Sequence, residues 1–354
     1  MNSEYYMRMA LDLAKKGMGY TSPNPMVGAV IVKNGKVIGK GYHHKYGDLH
    51  GERDALANAT DDVTGATMYV TLEPCCHKGK QPPCVEAIIQ AGIKKVCVGS
   101  DDPNPLVAGN GIEKLKKAGI EVEVGILEEE CRKINEVFIK YITTKKPFVV
   151  MKTAMSLDGK IATKTGESKW ITSEKSRLQV HILRNKFSGI MVGVNTIIKD
   201  NPELTCRMAE GSNPIRIIVD STLRIPLKSK VLENHDNKTI IATTKKVNTT
   251  KVQKLLKNNI EVLIINEKNG RVDLNDLMRK LGELNIDSIL LEGGATLNYS
   301  ALEEGVVDKV MVYMAPKMIG GETAKTPVGG RGIDKLNNAF KLKNITTMNV
   351  GEDI

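Results

Sequence analysis

Apolar residues near the start of the chain recur at helical spacing. Tyr6, Met7, Ala10, Leu11 and Ala14 share one face, and Ser3 stands where a helix cap belongs. Two strand-like runs follow, residues 28–32 and 36–42, joined across Asn34-Gly35, a strong hairpin signal. Beyond the hairpin the period alternates. Residues 52–59 predict a helix and 67–72 a buried strand. Pro82-Pro83 then opens a helix through Val85, Ile88 and Ile89, which Gly92 closes. A strand at 95–98, a helix at 112–118 ending on Gly119 and a strand at 120–124 complete the series. Helix, hairpin, then alternating helix and strand predict a three-layer α/β sandwich.

Thr143-Thr144-Lys145-Lys146-Pro147 is polar and ends in proline, which predicts a linker dividing the chain into residues 1–146 and 147–354. A second α/β pattern begins at 148–154. Further strands are expected at 190–192, 215–219, 239–242, 262–265, 288–291 and 309–314, with helical segments between most of them. Val350-Gly351-Glu352-Asp353-Ile354 reads as the start of another strand.

Composition changes this picture little. The chain has 354 residues, 41% apolar and 26% charged, ordinary values for a globular protein with room for two cores. The opening Met1-Asn2-Ser3-Glu4 is polar and acidic, unlike a signal peptide, and no apolar run is long enough to span a bilayer. A cytoplasmic enzyme without a membrane partner is the expectation. The net charge of +10 is unevenly spread: residues 1–146 hold 20 Lys and Arg against 18 Asp and Glu, so most of the surplus lies later. Solvated surface is the plainer reading of lysines such as Lys245, Lys246 and Lys251; attraction of phosphorylated small molecules is the other. Aromatic residues, at 4%, are too few for a single-strand stacking platform, so no nucleic-acid partner is expected. Six cysteines in a cytoplasmic chain do not predict a disulfide framework. Cys97, Cys131 and Cys206 stand alone as small core residues, whereas Cys75, Cys76 and Cys84 cluster.

That cluster carries the most informative chemistry. His50-Gly51-Glu52 is followed by Pro74-Cys75 and then by Cys84. A catalytic zinc takes three protein ligands and keeps one position open for water. His50, Cys75 and Cys84 supply them if His50 opens one helix and Cys84 the next. Zinc lowers the pKa of its water from ~16 to ~7. A carboxylate beside the metal can then carry a proton to leaving ammonia, and Glu52 is placed for that role. The pattern is that of zinc nucleobase deaminases. A structural zinc would need a fourth ligand, for which Cys76 is available. Adjacent cysteines rarely close on one metal, however, and Cys75 is preferred because it follows proline at a strand end. His43, His44 and His77, each taken alone, read as polar surface or pocket residues.

Further stretches resemble the bacterial riboflavin-pathway deaminases. They are Thr21-Ser22-Pro23-Asn24-Pro25-Met26-Val27-Gly28, Gly41-Tyr42-His43, Asp102-Pro103-Asn104-Pro105 and Val107-Ala108-Gly109-Asn110-Gly111, together with the long spacing between the cysteine ligands. The resemblance implies a cytidine-deaminase-like fold for the first half. It also implies a pyrimidine and ribose-phosphate pocket lined by Asn24, His43, Asp102 and Asn104, with Lys80 meeting the phosphate. The alternative reading of Lys80 is a solvated loop lysine. Gly51 and Asp54 stand where many relatives have alanine and histidine, and Cys76 where serine is common. None of the three is an expected ligand.

In the second half, Lys152-Thr153-Ala154-Met155-Ser156-Leu157-Asp158-Gly159-Lys160 resembles the opening of the reductase half of the same bifunctional family, whose fold is similar to dihydrofolate reductase. Ser168-Lys169-Trp170-Ile171-Thr172, Arg184, Gly193-Val194-Asn195-Thr196, Asp200-Asn201-Pro202, Leu204-Thr205-Cys206-Arg207 and Val219-Asp220-Ser221 match in order. The clearest physical signal is Leu291-Glu292-Gly293-Gly294-Ala295-Thr296. There a buried strand enters a glycine turn and then a helix, so backbone N–H groups can face a phosphate. The spaced-glycine dinucleotide fingerprint is absent.

By resemblance, Ala154, Trp170, Thr196, Asp200, Ser221, Gly293, Gly294, Ala295 and Thr296 contact NADPH, and Ser168, Arg184, Leu204, Arg207 and Glu292 contact the ribose phosphate. Trp170, the only tryptophan, reads on its own as a core aromatic. A guanidinium suits a phosphate because it binds two oxygens at once. The family implies zinc and NADPH as cofactors, a phosphoribosyl pyrimidine as substrate, and a homo-oligomer, dimer or tetramer. Two rival classes stay open on sequence alone. An RNA-editing deaminase is favoured only by net charge, and an inactive zinc-stabilised binding protein is opposed by the intact Glu52.

Overall fold

The structure is a computed structural model that describes residues 2–77, 81–104, 107–208, 211–233, 236–247, 249–256 and 260–354. The chain forms two compact units, Met1–Lys145 and Lys146–Ile354.

The first unit runs α1 (Ser3–Ala14), β1 (Gly28–Lys33), β2 (Lys36–Tyr42), α2 (Gly51–Ala57), β3 (Thr67–Leu72), α3 (Cys84–Gln90), β4 (Lys95–Ser100), α4 (Asn110–Lys117), β5 (Glu121–Val124), α5 (Glu128–Ile134) and α6 (Glu136–Thr144). Its strands lie in the order β2-β1-β3-β4-β5; β1 is antiparallel to β2 and β3, and the other pairs are parallel. Strand side chains alternate between faces, and here both faces are apolar. Ala29, Ile31, Met68, Val70, Val96 and Val98 pack with Ala55, Ile88 and Leu115 from α2, α3 and α4. Val30, Val32, Tyr69 and Cys97 pack with Met7, Ala10 and Leu11 of α1 and Cys131 of α5. Helix α1 approaches β1 at backbone contact, because a Cβ on Gly28 would lie 2.0 Å from the Ala10 carbonyl oxygen.

Two boundaries differ from expectation. Asn2, not Ser3, caps α1: it keeps an extended backbone and its side chain accepts from the Glu4 N–H. Helix α6 continues through Thr143 and Thr144, whose hydroxyls donate back to the Lys140 carbonyl, so the helix consumes the start of the expected linker. It ends at Lys145, which adopts the left-handed conformation.

The second unit contains β6 (Phe148–Ser156), α7 (Glu174–Lys186), β7 (Gly189–Gly193), α8 (Val194–Asp200), β8 (Ile215–Val219), α9 (Lys230–Glu233), β9 (Thr239–Thr243), α10 (Thr249–Leu256) and β10 (Ile260–Ile264). A short hairpin, β11 (Glu267–Lys268) and β12 (Arg271–Val272), precedes α11 (Leu274–Glu283), β13 (Ser288–Leu291), α12 (Ala295–Glu303) and β14 (Lys309–Ala315). Seven strands form one parallel sheet in the order β10-β9-β8-β7-β13-β6-β14. Met191, Ile217 and Ile240 face α11 and α12, whereas Ile190, Ile218 and Ile241 face the opposite layer. The last residues do not form the expected strand. Gly351 turns the chain at positive φ, Val350 and Asp353 make an isolated bridge, and the Asp353 carboxylate accepts from Ser173 and Ser176 at the start of α7.

Candidate active sites

In the first unit the ends of three elements converge. His50 precedes the first residue of α2 in extended conformation, Cys84 is the first residue of α3, and Cys75 follows the end of β3. His50 Nδ1 lies 3.5 Å from each cysteine sulfur, and the three donor atoms all lie within 4.8 Å of one another. The Cys84 N–H also donates to the Cys75 sulfur at 3.3 Å. The Cys84 thiol hydrogen-bonds to Cys75; this pushes Cys75 down to about 4 and Cys84 well above the usual thiol range. One imidazole nitrogen and two sulfurs, with one sulfur already favoured as thiolate, form a donor set that suits zinc with a coordination position left over. Cys76 is outside this group: it packs against the core and its carbonyl accepts from Lys114.

Glu52, in the first turn of α2, is 3% exposed, and its Oε2 is buried without a hydrogen-bond partner. Burial, reinforced by the nearby Cys75, pushes its carboxyl up to about 7. His43 is buried beside the metal-ligand set, its ring edge-on to His50 at 5.3 Å. Its Nδ1 bonds to the Leu49 carbonyl at 2.9 Å, which makes Nδ1 the donor and leaves Nε2 to accept from Asn24 at 3.2 Å. Burial lowers the His43 pKa, in keeping with a neutral ring. Asp102 is 6% exposed, and burial pushes it up to about 7 although the Asn104 N–H donates to its Oδ1. Lys80 lies outside the described residues. Sequence reasoning passed over Asn135, whose side chain bonds both the N–H and the carbonyl of Met26 and so holds the loop that carries Asn24. No local signal marks it, because its partner is 109 positions away.

In the second unit the matched segments at 152–160, 193–196, 219–221 and 291–296 lie at the carboxyl ends of β6, β7, β8 and β13, where open α/β sheets bind ligands. Gly193 ends β7 and its N–H donates to Gly293, which follows β13. Gly293 and Gly294 both adopt positive φ, and a Cβ on Gly293 would project into open space. This leaves an uncovered backbone turn at the start of α12, which has no side-chain cap. The turn fits a cofactor phosphate. Thr196 Oγ1 would lie 3.7 Å from a Cβ on Gly294, and Ala154 and Ser221 lie near the ends of β6 and β8. Asp200, Ser168 and Trp170 are exposed, and the Trp170 ring is covered by the Arg177 guanidinium at 4.6 Å.

Glu292 forms the charged centre of this unit. Arg184 binds it with two nitrogens at 2.7 and 2.9 Å and gives its third to the Thr205 carbonyl; Lys152 lies at 3.2 Å. Burial alone would raise the Glu292 pKa, but Lys152 and Arg184 outweigh it and hold the carboxyl down to about 2. Arg207 is exposed, with Glu203 4.0 Å away. The Leu204 side chain packs into the core, so only its backbone can meet a ligand.

The fold and these sites define a zinc-type pyrimidine deaminase joined to a nicotinamide-dependent reductase. Residues 1–100 match the family described as the cytidine and deoxycytidylate deaminase zinc-binding region, and residues 147–354 match the RibD C-terminal domain. The riboflavin biosynthesis protein RibD of Actinobacillus pleuropneumoniae is 52% identical over 99% of this chain and 93% of its own length. That of Escherichia coli is 39% identical over 100% of this chain and 98% of its own. Among solved structures, RibD of Acinetobacter baumannii has a TM-score of 0.88 at 38% identity, covering 99% of this chain and 96% of that one. A diaminohydroxyphosphoribosylaminopyrimidine deaminase/5-amino-6-(5-phosphoribosylamino)uracil reductase of Thermotoga maritima has a TM-score of 0.86 at 39% identity, with the same coverage of 99% and 96%.

The chain belongs to the RibD family of riboflavin biosynthesis. It carries a deaminase and a reductase activity, with zinc and NADPH as cofactors and a small-molecule pyrimidine as substrate. No helix among the described residues is long and apolar enough to cross a membrane.

Proposed function

We propose that the first unit hydrolyses the 2-amino group of 2,5-diamino-6-(5-phosphoribosylamino)pyrimidin-4-one, releasing ammonia. The second then reduces the ribosyl group to give 5-amino-6-(5-phosphoribitylamino)uracil. The observation that carries the reading is the convergence of His50 Nδ1 and the Cys75 and Cys84 sulfurs beside the unpartnered Oε2 of buried Glu52. The printed name of the Thermotoga maritima relative supports the substrate.

In this reading His50, Cys75 and Cys84 hold the metal. Zinc, when bound, supplies the Lewis acidity that makes hydroxide available near neutral pH. Glu52 takes up a proton at Oε2 and delivers it to the departing amino nitrogen. Asn24, His43, Asp102 and Asn104 orient the ring and ribose, and Lys80 meets the phosphate.

In the second unit NADPH, when bound, would supply a hydride for reduction of the opened ribose at C1. Ala154, Trp170, Thr196, Asp200, Ser221 and the Gly293–Thr296 turn hold the cofactor. Ser168, Arg184, Leu204, Arg207 and Glu292 contact the ribose phosphate, with Glu292 braced by Lys152 and Arg184. The protein's own share of the reduction is positioning. The six cysteines form no disulfide with one another, and with two of them read as metal ligands this favours a reducing compartment such as the cytoplasm. The family resemblance implies a homo-oligomer, dimer or tetramer, which sedimentation would test.

The deciding experiment incubates the full chain with the diaminopyrimidine, with and without NADPH, and reads products by mass. Without NADPH the expected product has exchanged an amine for oxygen; with it, the product has also gained two hydrogens. Absence of ammonia release from a zinc-loaded protein would overturn the reading.

A further inference from the structure

Glu73 belongs neither to the metal-ligand set nor to the pocket residues named above, yet its carboxylate is fully committed. Its Oε2 accepts the N–H groups of Asp102 at 3.2 Å and Gly109 at 3.0 Å; its Oε1 accepts those of Gly111 at 2.9 Å and Ile112 at 3.1 Å. The residue is 3% exposed, and its own N–H donates to the Ser100 carbonyl at 2.9 Å. The donors come from both ends of the loop joining β4 to α4. Gly109, at the cap position of α4, has no side chain with which to satisfy the first helical N–H groups. Glu73 does so from just beyond the end of β3, and its charge sits at the positive end of the helix. Gly111 permits the approach, since a Cβ there would lie 2.2 Å from the Pro74 carbonyl oxygen. One carboxylate therefore ties the strand end bearing Cys75 to the loop bearing Asp102 and Asn104.

We propose that Glu73 is a positioning residue for deamination, holding Asp102 and Asn104 in register with the metal-binding strand end. The proposal rests on the reading of those two residues as pocket groups. Glutamine at position 73 has nearly the same shape, but its amide nitrogen is a donor. It would face two backbone N–H groups, so two of the four bonds are lost. The loop loosens while Cys75 keeps its place.

Glu73→Gln in the full chain should keep its zinc and its reductase activity. Its deaminase kcat/KM should fall on the order of tenfold to a hundredfold, mainly through KM. Hydrogen exchange gives a second measurement on the unaltered protein: the amides of Asp102, Gly109, Gly111 and Ile112 should be protected, and in the variant all four should exchange faster. A zinc-loaded variant with unchanged kcat/KM, or a loss confined to kcat, would overturn the proposal. So would unprotected amides in the unaltered protein, a result that stands even if the variant does not fold. An unaltered protein that leaves the diaminopyrimidine untouched would instead sink the substrate reading, while exchange still decides whether the clamp exists.

Discussion

Cys75 and Cys76 are neighbours in sequence, yet only Cys75 joins His50 and Cys84, while Cys76 packs against the core. Cys75→Ser should therefore lose zinc and deamination, whereas Cys76→Ser should keep both. Glu52→Gln should keep zinc and lose deamination by on the order of a hundredfold or more, since the proton carrier is gone. Metal content and ammonia release on the three variants check this, and zinc loss in Cys76→Ser would show a different ligand set. Glu292 offers a test by pH. Its carboxyl is held at about 2 against an ordinary 4.5, so its ion pairs stabilise the fold fully above 4.5. That contribution is lost as pH falls from 4.5 towards about 2, because over that range the unfolded chain takes up a proton at Glu292 that the native ion pairs still exclude. Glu292→Gln should be less stable at neutral pH, with two cations left uncompensated, and should show a flatter acid limb. Denaturant midpoints across that range decide it; parallel curves would mean that Glu292 does not titrate as described.

Whole elements were legible where one face was apolar and a turn residue marked the end. The β1–β2 hairpin around Asn34-Gly35 and helix α3 behind Pro82-Pro83 are examples. Helices α5 and α6 escaped the sequence reading because their buried stripes are thin: only Cys131 in α5, and Phe138 and Tyr141 in α6, are buried. The end of β13 was legible for a different reason, since paired glycines after a buried strand leave few alternatives to a turn. At Gly294, with φ +94°, an alanine would be strained by ~1–2 kcal/mol, although its Cβ would meet only ordinary contacts, the nearest being Thr196 Oγ1 at 3.7 Å. Gly294→Ala should therefore raise the KM for NADPH on the order of tenfold and leave deamination unchanged. Steady-state assays of both half-reactions test it, and an equal loss in both would point to general misfolding.

At the scale of the whole molecule the chain divides at Lys145 and Lys146 into two units, each with its own sheet and core. A fragment of residues 1–146 should fold, bind zinc and deaminate without any nicotinamide cofactor, as ammonia release and metal content would show. A soluble, zinc-loaded but inactive fragment would mean that the second unit contributes to the first site. The sequence by itself determined the two α/β patterns and the zinc chemistry. Alternating apolar runs specify strands locally, and a histidine, a glutamate and cysteines next to proline and helix starts declare their donors. Only the tertiary structure decided that Arg184 is engaged by Glu292, that Asn135 braces the Asn24 loop, and that Glu73 caps α4. The physical reason is sequence distance: those contacts join residues 108, 109 and 38 positions apart. Local periodicity carries no information about which buried donor will meet which buried acceptor.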